Sequence, residues 1–316
     1  MPNLDANDTA DRQGPDSVFV KLGADHALTE PSHDLLGAWT RYFRDTEIPV
    51  LAETSRALEE LRAVADTVDA HMLSDVIQSD PLMTLKLMAT VAGKRRVADD
   101  GDTETETETV TASLIMMGVG PFFASFGLQP TVEDRLHDKP LALEGLLAVL
   151  RRAERAARFA VAFAVHRGDL DAGVIFQAAF LHDFVEMLMW CHVPKLALQI
   201  REAQRTDPSL RTSSIQRSVL HIESNDLRQA LMKLWHLPEL LVRISDDKNA
   251  SNANVRNVVL AVRFAKHTMI DWDNAALPDD VEDIAQLLNA SPRVTLAFLH
   301  KIEASATKSV RDSDVE

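Results

Sequence analysis

The sequence predicts an all-α fold of two packed helical subdomains, and three observations carry that prediction. Glycine is scarce, 11 in 316 residues, while the better helix formers Leu, Ala, Met, Glu and Arg are common. Alternating β-branched strands are hard to find anywhere in the chain. Apolar residues instead recur every three or four positions, between Pro, Gly, Ser and Asp residues placed where helices start and stop.

Residues 1–33 are polar, carry Asp5, Asp8, Asp11 and Asp16, and lack a sustained period, so they are expected to form a mobile tail. "SHDLLGAWTRYFRD" (32–45) places Leu35, Leu36, Trp39 and Phe43 at helical spacing behind a cap-like Ser32. A second helix enters through Pro49, with Leu58, Leu61 and Val64 on one side. Asp80 can cap free N–H groups, and Pro81 suits a first helical position. The pattern therefore predicts one short helix ending near Ser79 and another from Pro81 to about Ala92, stopped by Gly93.

"DDGDTETETETV" (99–110) alternates Thr with Glu but has no apolar face, and reads as a solvated acidic loop. A calcium loop needs ordered Asp/Asn spacing, a turn glycine and a terminal Glu, and that pattern is missing. The helix over 111–128 should break at Gly118, Gly120 and Pro121. Residues 143–168 are strongly amphipathic, with Leu146, Leu150, Ala153, Ala157, Val161 and Ala164 opposite Arg151, Arg152, Arg155 and Arg158. Residues 172–190 are apolar nearly all round and predict a central buried helix. Further helices are expected at 211–222, 226–236, 238–245, 254–270, 278–289 and 292–304. The division that follows is a tail (1–33), an N-terminal helical subdomain (34–136), a C-terminal bundle (143–305) and a short tail (306–316).

Charge narrows the function classes. A net charge of −15 weighs against nucleic acid and anionic membranes, which need clustered cations. The four arginines of "LRRAERAAR" read as a solvated helix face. No uninterrupted apolar run approaches the roughly 18 residues of a membrane span, no secretory leader is visible, and Cys191 is the single cysteine. These features predict a cytoplasmic protein without a disulfide framework. Phosphate-loop and dinucleotide fingerprints are also missing, and no cofactor is expected. Cys191-His192 reads as an inert buried thiol beside a histidine. Met83, Met88, Met116 and Met117 read as core filling.

Four stretches in order carry a resemblance to a known family. "LSDVIQSDPLMTLKLMATVAG", "VTASLIMMGVGPFFASFGL", "FQAAFLHDFVEMLMW" and "LMKLWHLPELL" together resemble the HDOD family, bacterial all-helical proteins related to the HD-type metal phosphohydrolases. The resemblance covers roughly residues 45 to 270 and implies an HD-like helical bundle in the C-terminal subdomain. It also implies a role in signal transduction or output regulation, with no common enzymatic activity demonstrated. Trp235, Leu237 and Pro238 match the family's Trp-x-Leu-Pro turn. The chain departs from relatives at Phe184-Val185 after the His-Asp pair, at Ser224 and Arg228 before the Trp, and at Asp246-Asp247 where many have His-His.

An HD-type metal centre combines an early His, the His-Asp pair and a late Asp. His182-Asp183 is present here. The early position, about 28 residues ahead, holds Glu154, and the late-Asp neighbourhood supplies Arg263. Any metal would fall to His182, Asp183 and Glu186, a poor chelate within one helix because consecutive residues diverge by about 100°. The pair is therefore expected to be degenerate and structural, with no catalytic residue. The function expected is a non-catalytic signalling or scaffold protein whose partners are other signalling proteins. The rival is a divergent HD-type phosphohydrolase of a nucleotide or cyclic dinucleotide, recruiting His166, His221 or Asp246. A third option is a domain that binds a nucleotide without cleaving it.

Overall fold

The computed structural model describes residues 33–98, 108–207 and 211–313. The fold is all-α. Among the described residues there is no β-strand, only an isolated bridge between Val50 and Thr131. The expected tail 1–33 (apart from His33) and most of the acidic segment 99–110 lie outside the described residues.

The chain opens with α1 (His33–Asp45) and α2 (Ala52–Ala63), followed by α3 (Ala70–Ile77), α4 (Pro81–Ala98), α5 (Val110–Met117) and α6 (Val119–Ser125). Asp69 caps α3 by accepting from the His71 and Met72 amides at 2.8 and 2.9 Å. Asp80 does the same for α4, taking the Leu82 and Met83 amides at 2.8 and 3.2 Å, and its second oxygen ties back to the Leu51 amide at 2.8 Å. The predicted break in 111–128 falls at Gly118, whose φ of +79° a side chain adopts only under strain. Gly93 does not stop α4. It lies within the helix with open space around it, and the helix continues to Ala98.

Helix α7 (Val132–Arg135) leads into the long α8 (Pro140–Arg167), ended by Gly168 in the left-handed region at φ +72°. Then come α9 (Ala172–Phe180), α10 (Phe184–His192), α11 (Pro194–Thr206), α12 (Thr212–Leu220), α13 (Ser224–Leu234) and α14 (Glu239–Ile244). The chain closes with α15 (Ala253–His267), α16 (Leu277–Leu288) and α17 (Pro292–Ser313). Two expectations need correction. Helix α11 was not anticipated, and α17 runs through most of the segment taken as the 306–316 tail.

The single helix expected over 172–190 is two helices, α9 and α10, separated by Leu181-His182-Asp183. By length and composition Ala172–His192 could cross a membrane, at a mean hydropathy of 1.3, although no uninterrupted run of that length was expected. Here 78% of that window is buried inside the protein. It packs against α8 and is broken by a polar turn, so it serves as the centre of the core.

Two hydrophobic cores share α4 as a wall. Leu82, Leu85 and Met88 face the larger core, which α8, α9, α10 and α15 dominate. Met83, Leu87 and Val91 face the smaller one, with Leu73, Ile77, Leu114 and Phe122. A helix buried on two sides has little use for a polar stripe, which is why α4 lacks amphipathic character. Small residues on α8, including Ala153, Ala156, Ala157 and Ala160, let α15 approach closely while Phe159 and Phe264 meet edge to face at 4.9 Å. At Gly145 a Cβ would come within 2.6 Å of the Trp190 ring.

Candidate functional site

The site forms where α9 ends and α10 begins. The His182 amide bonds Ala179 O at 3.3 Å and the Phe184 amide bonds Leu181 O at 3.1 Å, a tight turn that interrupts the helical ladder. His182 and Asp183 therefore project from a turn, and the divergence expected of helix neighbours does not apply. His182 Nδ1 lies 2.8 Å from Asp183 Oδ1. Its Nε2 faces the second carboxylate, 3.2 and 3.3 Å from the two oxygens of Asp247, which starts the 3₁₀ turn Asp247–Asn249 between α14 and α15.

Two arginines complete the arrangement. Arg152 on α8 donates from Nε to Asp183 Oδ2 at 2.8 Å and from Nη2 to Glu186 Oε2 at 2.6 Å. Arg228 on α13, only 4% exposed, donates to His182 O at 3.0 Å, Asn225 Oδ1 at 2.7 Å and Ser245 O at 2.8 Å. Its Nη2 also lies 2.8 Å from Asp247 Oδ1. The result is a chain of alternating charge: Glu186, Arg152, Asp183, His182, Asp247, Arg228. Both ring nitrogens of His182 face carboxylates, an arrangement that only the doubly protonated imidazolium satisfies.

The electrostatics agree with the geometry. Burial and the Arg228 charge disfavour protonated His182, yet Asp247 and Asp183 outweigh them and raise its pKa. Burial pushes Asp183 up, but the Arg152 charge and His182 more than reverse this and hold it well below the ordinary range. Asp247 is likewise depressed by His182 and Arg228 against the effect of its burial. Lys266 on α15 borders the cluster. Burial and the neighbouring Arg152 lower its pKa, while Glu186 and Asp183 work the other way.

The family-like turn delivers Asp247 to this place. Trp235 ends α13 and stands 5.7 Å from the Phe184 ring, His236 takes φ +54°, and the buried Leu237 bonds back to Met232 O at 3.0 Å. Pro238 then starts α14, whose C-terminal end presents Ser245 and Asp247 to Arg228.

His182, Asp183 and Glu186 are thus together, while the other residues weighed from the sequence are not. Glu154 is exposed and pairs with Arg158 at 2.5 Å. Arg263 binds Asp280 at 2.7 Å, His166 lies against Phe298, and His221 caps the end of α12. Asp246 accepts from Asn225 and from backbone of its own turn. Burial drives the Cys191 thiol up to about 12, and burial with Arg135 drives His192 down to about 4, so neither is poised as nucleophile or charged partner.

Arg152, Lys266 and Asn225 gave no sequence signal as site residues. Arg228 and Asp247 were visible only as departures from the family pattern. The donor set does not fit the metal of an HD-type centre. Among the described residues no three His, Cys, Asp or Glu side chains are placed to hold an ion. Both oxygens of Asp183, Glu186 Oε2 and both oxygens of Asp247 already accept from guanidinium or imidazole groups.

The comparisons agree with the architecture. No curated protein matches the chain. The MmoQ response regulator of Methylococcus capsulatus is similar in structure, with a TM-score of 0.55 at 18% identity, covering 77% of this chain and 98% of that one. A virulence factor of Campylobacter jejuni has a TM-score of 0.56 at 15% identity, covering 81% and 90%. An HDOD domain protein of Geobacter sulfurreducens has 0.46 at 15%, covering 88% and 96%. At these identities the likeness to the first two is one of fold. The HDOD domain itself matches residues 48–250, which spans the four stretches, the turn at Trp235 and every member of the charge chain. This protein belongs to the HDOD family.

Proposed function

We propose that this chain is a non-catalytic regulatory or scaffold protein of bacterial signalling that works by binding other proteins. One observation carries the reading. Positive charge opposite Asp183, Glu186 and Asp247 comes from Arg152, Arg228 and His182, so the cation that would activate water for phosphate-ester hydrolysis would have to displace them. A guanidinium supplies charge without an open coordination position, and so cannot generate a nucleophile. The two-part helical shell then serves as a surface for partner helices. A signalling role is in keeping with the response-regulator description of the relative from Methylococcus. The net charge of −15 favours protein partners over nucleic acid or anionic membrane, and the cytoplasm is the proposed location.

The test is the metal content of protein purified without an affinity tag, with phosphodiesterase activity assayed in added manganese. The expected result is iron, manganese and zinc far below one per chain and no hydrolysis of bis(p-nitrophenyl) phosphate. Stoichiometric metal that disappears in His182→Ala/Asp183→Ala would return the chain to the hydrolases.

A further inference from the structure

We propose that His182 and Arg228 form an oxyanion-binding site that Asp247 occupies from within, so that residues 246–252 act as an autoinhibitory strap displaced by a phosphate group. The cationic floor and its occupant sit very differently. The Arg228 side chain is 5% exposed, whereas the Asp247 side chain is 34% exposed and arrives from the solvent side on a short turn. That turn has no apolar anchor. Lys248, Asn249, Ala250, Ser251 and Asn252 are all exposed.

Between Asp247 and Asn252, whose side chain caps α15 at the far end, the strap is held by long contacts between Asn225 and residues 246 and 247 at 3.3 Å, and by the surface pair Lys248–Asp226. Contacts of this kind open at low cost compared with a packed helix. The occupant also fits incompletely. Arg228 Nε and Ser245 Oγ are buried and have no acceptor or donor partner. A carboxylate offers two oxygens, and both already lie near His182 Nε2. A phosphate monoester brings three oxygens and a higher charge, so it can satisfy His182 and Arg228 together with one of the unpaired groups.

The remaining charges around the site leave room for such a ligand. Asp183 is shared by Arg152 and His182, Glu186 is paired with Arg152, and Lys266 lies beside them. Asp226 and Asp246 are on the rim, and Asp246 and the lysine that pairs Asp226 belong to the strap itself.

This inference rests on the proposed metal-free reading of the site, so the binding experiment is run in EDTA. The probe is inorganic phosphate, followed by isothermal titration and by hydrogen exchange of residues 245–252. In the wild type, phosphate is expected to lower exchange protection of the strap relative to sodium chloride of equal ionic strength. Asp247→Asn, which keeps the oxygen toward Arg228 but removes the charge, is expected to bind phosphate about tenfold more tightly than wild type. Asp247→Ala/Arg228→Met, which removes occupant and floor together, should not bind it.

AMP and a phosphoserine peptide, titrated in parallel, distinguish a nucleotide from a modified side chain as the source of the group. Equal phosphate affinity in wild type and Asp247→Asn, or binding that survives in the double variant, would overturn the strap. Phosphate binding that requires a divalent metal and vanishes in EDTA would overturn the metal-free reading as well.

Discussion

Arg228→Ala is expected to cost about 3–5 kcal/mol of folding stability, because it removes the most deeply buried cation of the charge network and leaves its acceptors without a donor. The guanidinium holds three oxygens besides Asp247: His182 O at the α9–α10 turn, Ser245 O at the end of α14, and Asn225 Oδ1. Two of these are carbonyls of different elements, so one side chain fixes the turn carrying His182 against the turn carrying Asp247. Removing Asp247 as well should restore much of the loss when an apolar side chain fills the space, as in Asp247→Ala/Arg228→Met. Urea denaturation of wild type, Arg228→Ala, Arg228→Met, Asp247→Ala and the double variant measures this. A loss under about 1 kcal/mol for Arg228→Ala would mean that the network is solvated and that its apparent burial carries little energy.

Arg152→Ala is expected to cost a similar 3–5 kcal/mol and also to flatten the acid response. In the wild type the Asp183 pKa is depressed on folding. Its stabilising contribution is therefore present above its unfolded value of about 3.9 and is lost as pH falls through the folded value. His182 is raised on folding. Its contribution is complete below about 6.5 and is lost as pH rises through the folded value. The wild type should thus be most stable on the mildly acidic side of neutrality and weaken in both directions.

Without Arg152, Asp183 loses the larger of the two influences that hold its pKa down against burial, and only His182 remains to oppose burial. The variant should gain stability relative to wild type on acidification, while its alkaline limb, set by His182, stays parallel to the wild-type limb. Urea midpoints followed across the acid, neutral and alkaline ranges check this. Acid limbs that run parallel in the two proteins would show that Arg152 does not neutralise Asp183.

Much of the fold was legible because its punctuation is chemical and local. Asp80-Pro81 declared a cap and a first helical position, and Gly118 marked a break that needs positive φ. The spacing of Leu146, Leu150, Ala153 and Ala157 declared the face of α8. The errors have equally specific causes. Gly93 has stop chemistry but no left-handed conformation, and α4 runs through it to Ala98. The α9–α10 break is hidden in a segment apolar on all sides, where no period exists to be interrupted. Helix α11 carried a readable signal, Pro194 ahead of Ala197 and Ile200, both buried, that was passed over.

The site was legible in its first half only. His182, Asp183 and Glu186 are close in sequence and could be grouped by eye. Their partners come from far along the chain, Arg152 from 31 residues before Asp183 and Asp247 from 65 residues after His182. Counting back to the early-histidine position led to Glu154, two residues along α8 from Arg152 and therefore on another face of the helix. Arg228 and Asp247 were conspicuous as departures from the family pattern, but each made sense only beside the other. In this chain the two side chains meet at 2.8 Å.

The account's central claim is that guanidinium groups provide the positive charge at the His182-Asp183 centre. It is tested most directly by anomalous diffraction from crystals soaked in manganese or zinc, with data collected at the absorption edge of each. The expected map has no anomalous peak among Asp183, Glu186 and Asp247, and shows Arg152 in contact with both of its carboxylates. A peak held by three or more side chains, with Arg152 turned away, would contradict it.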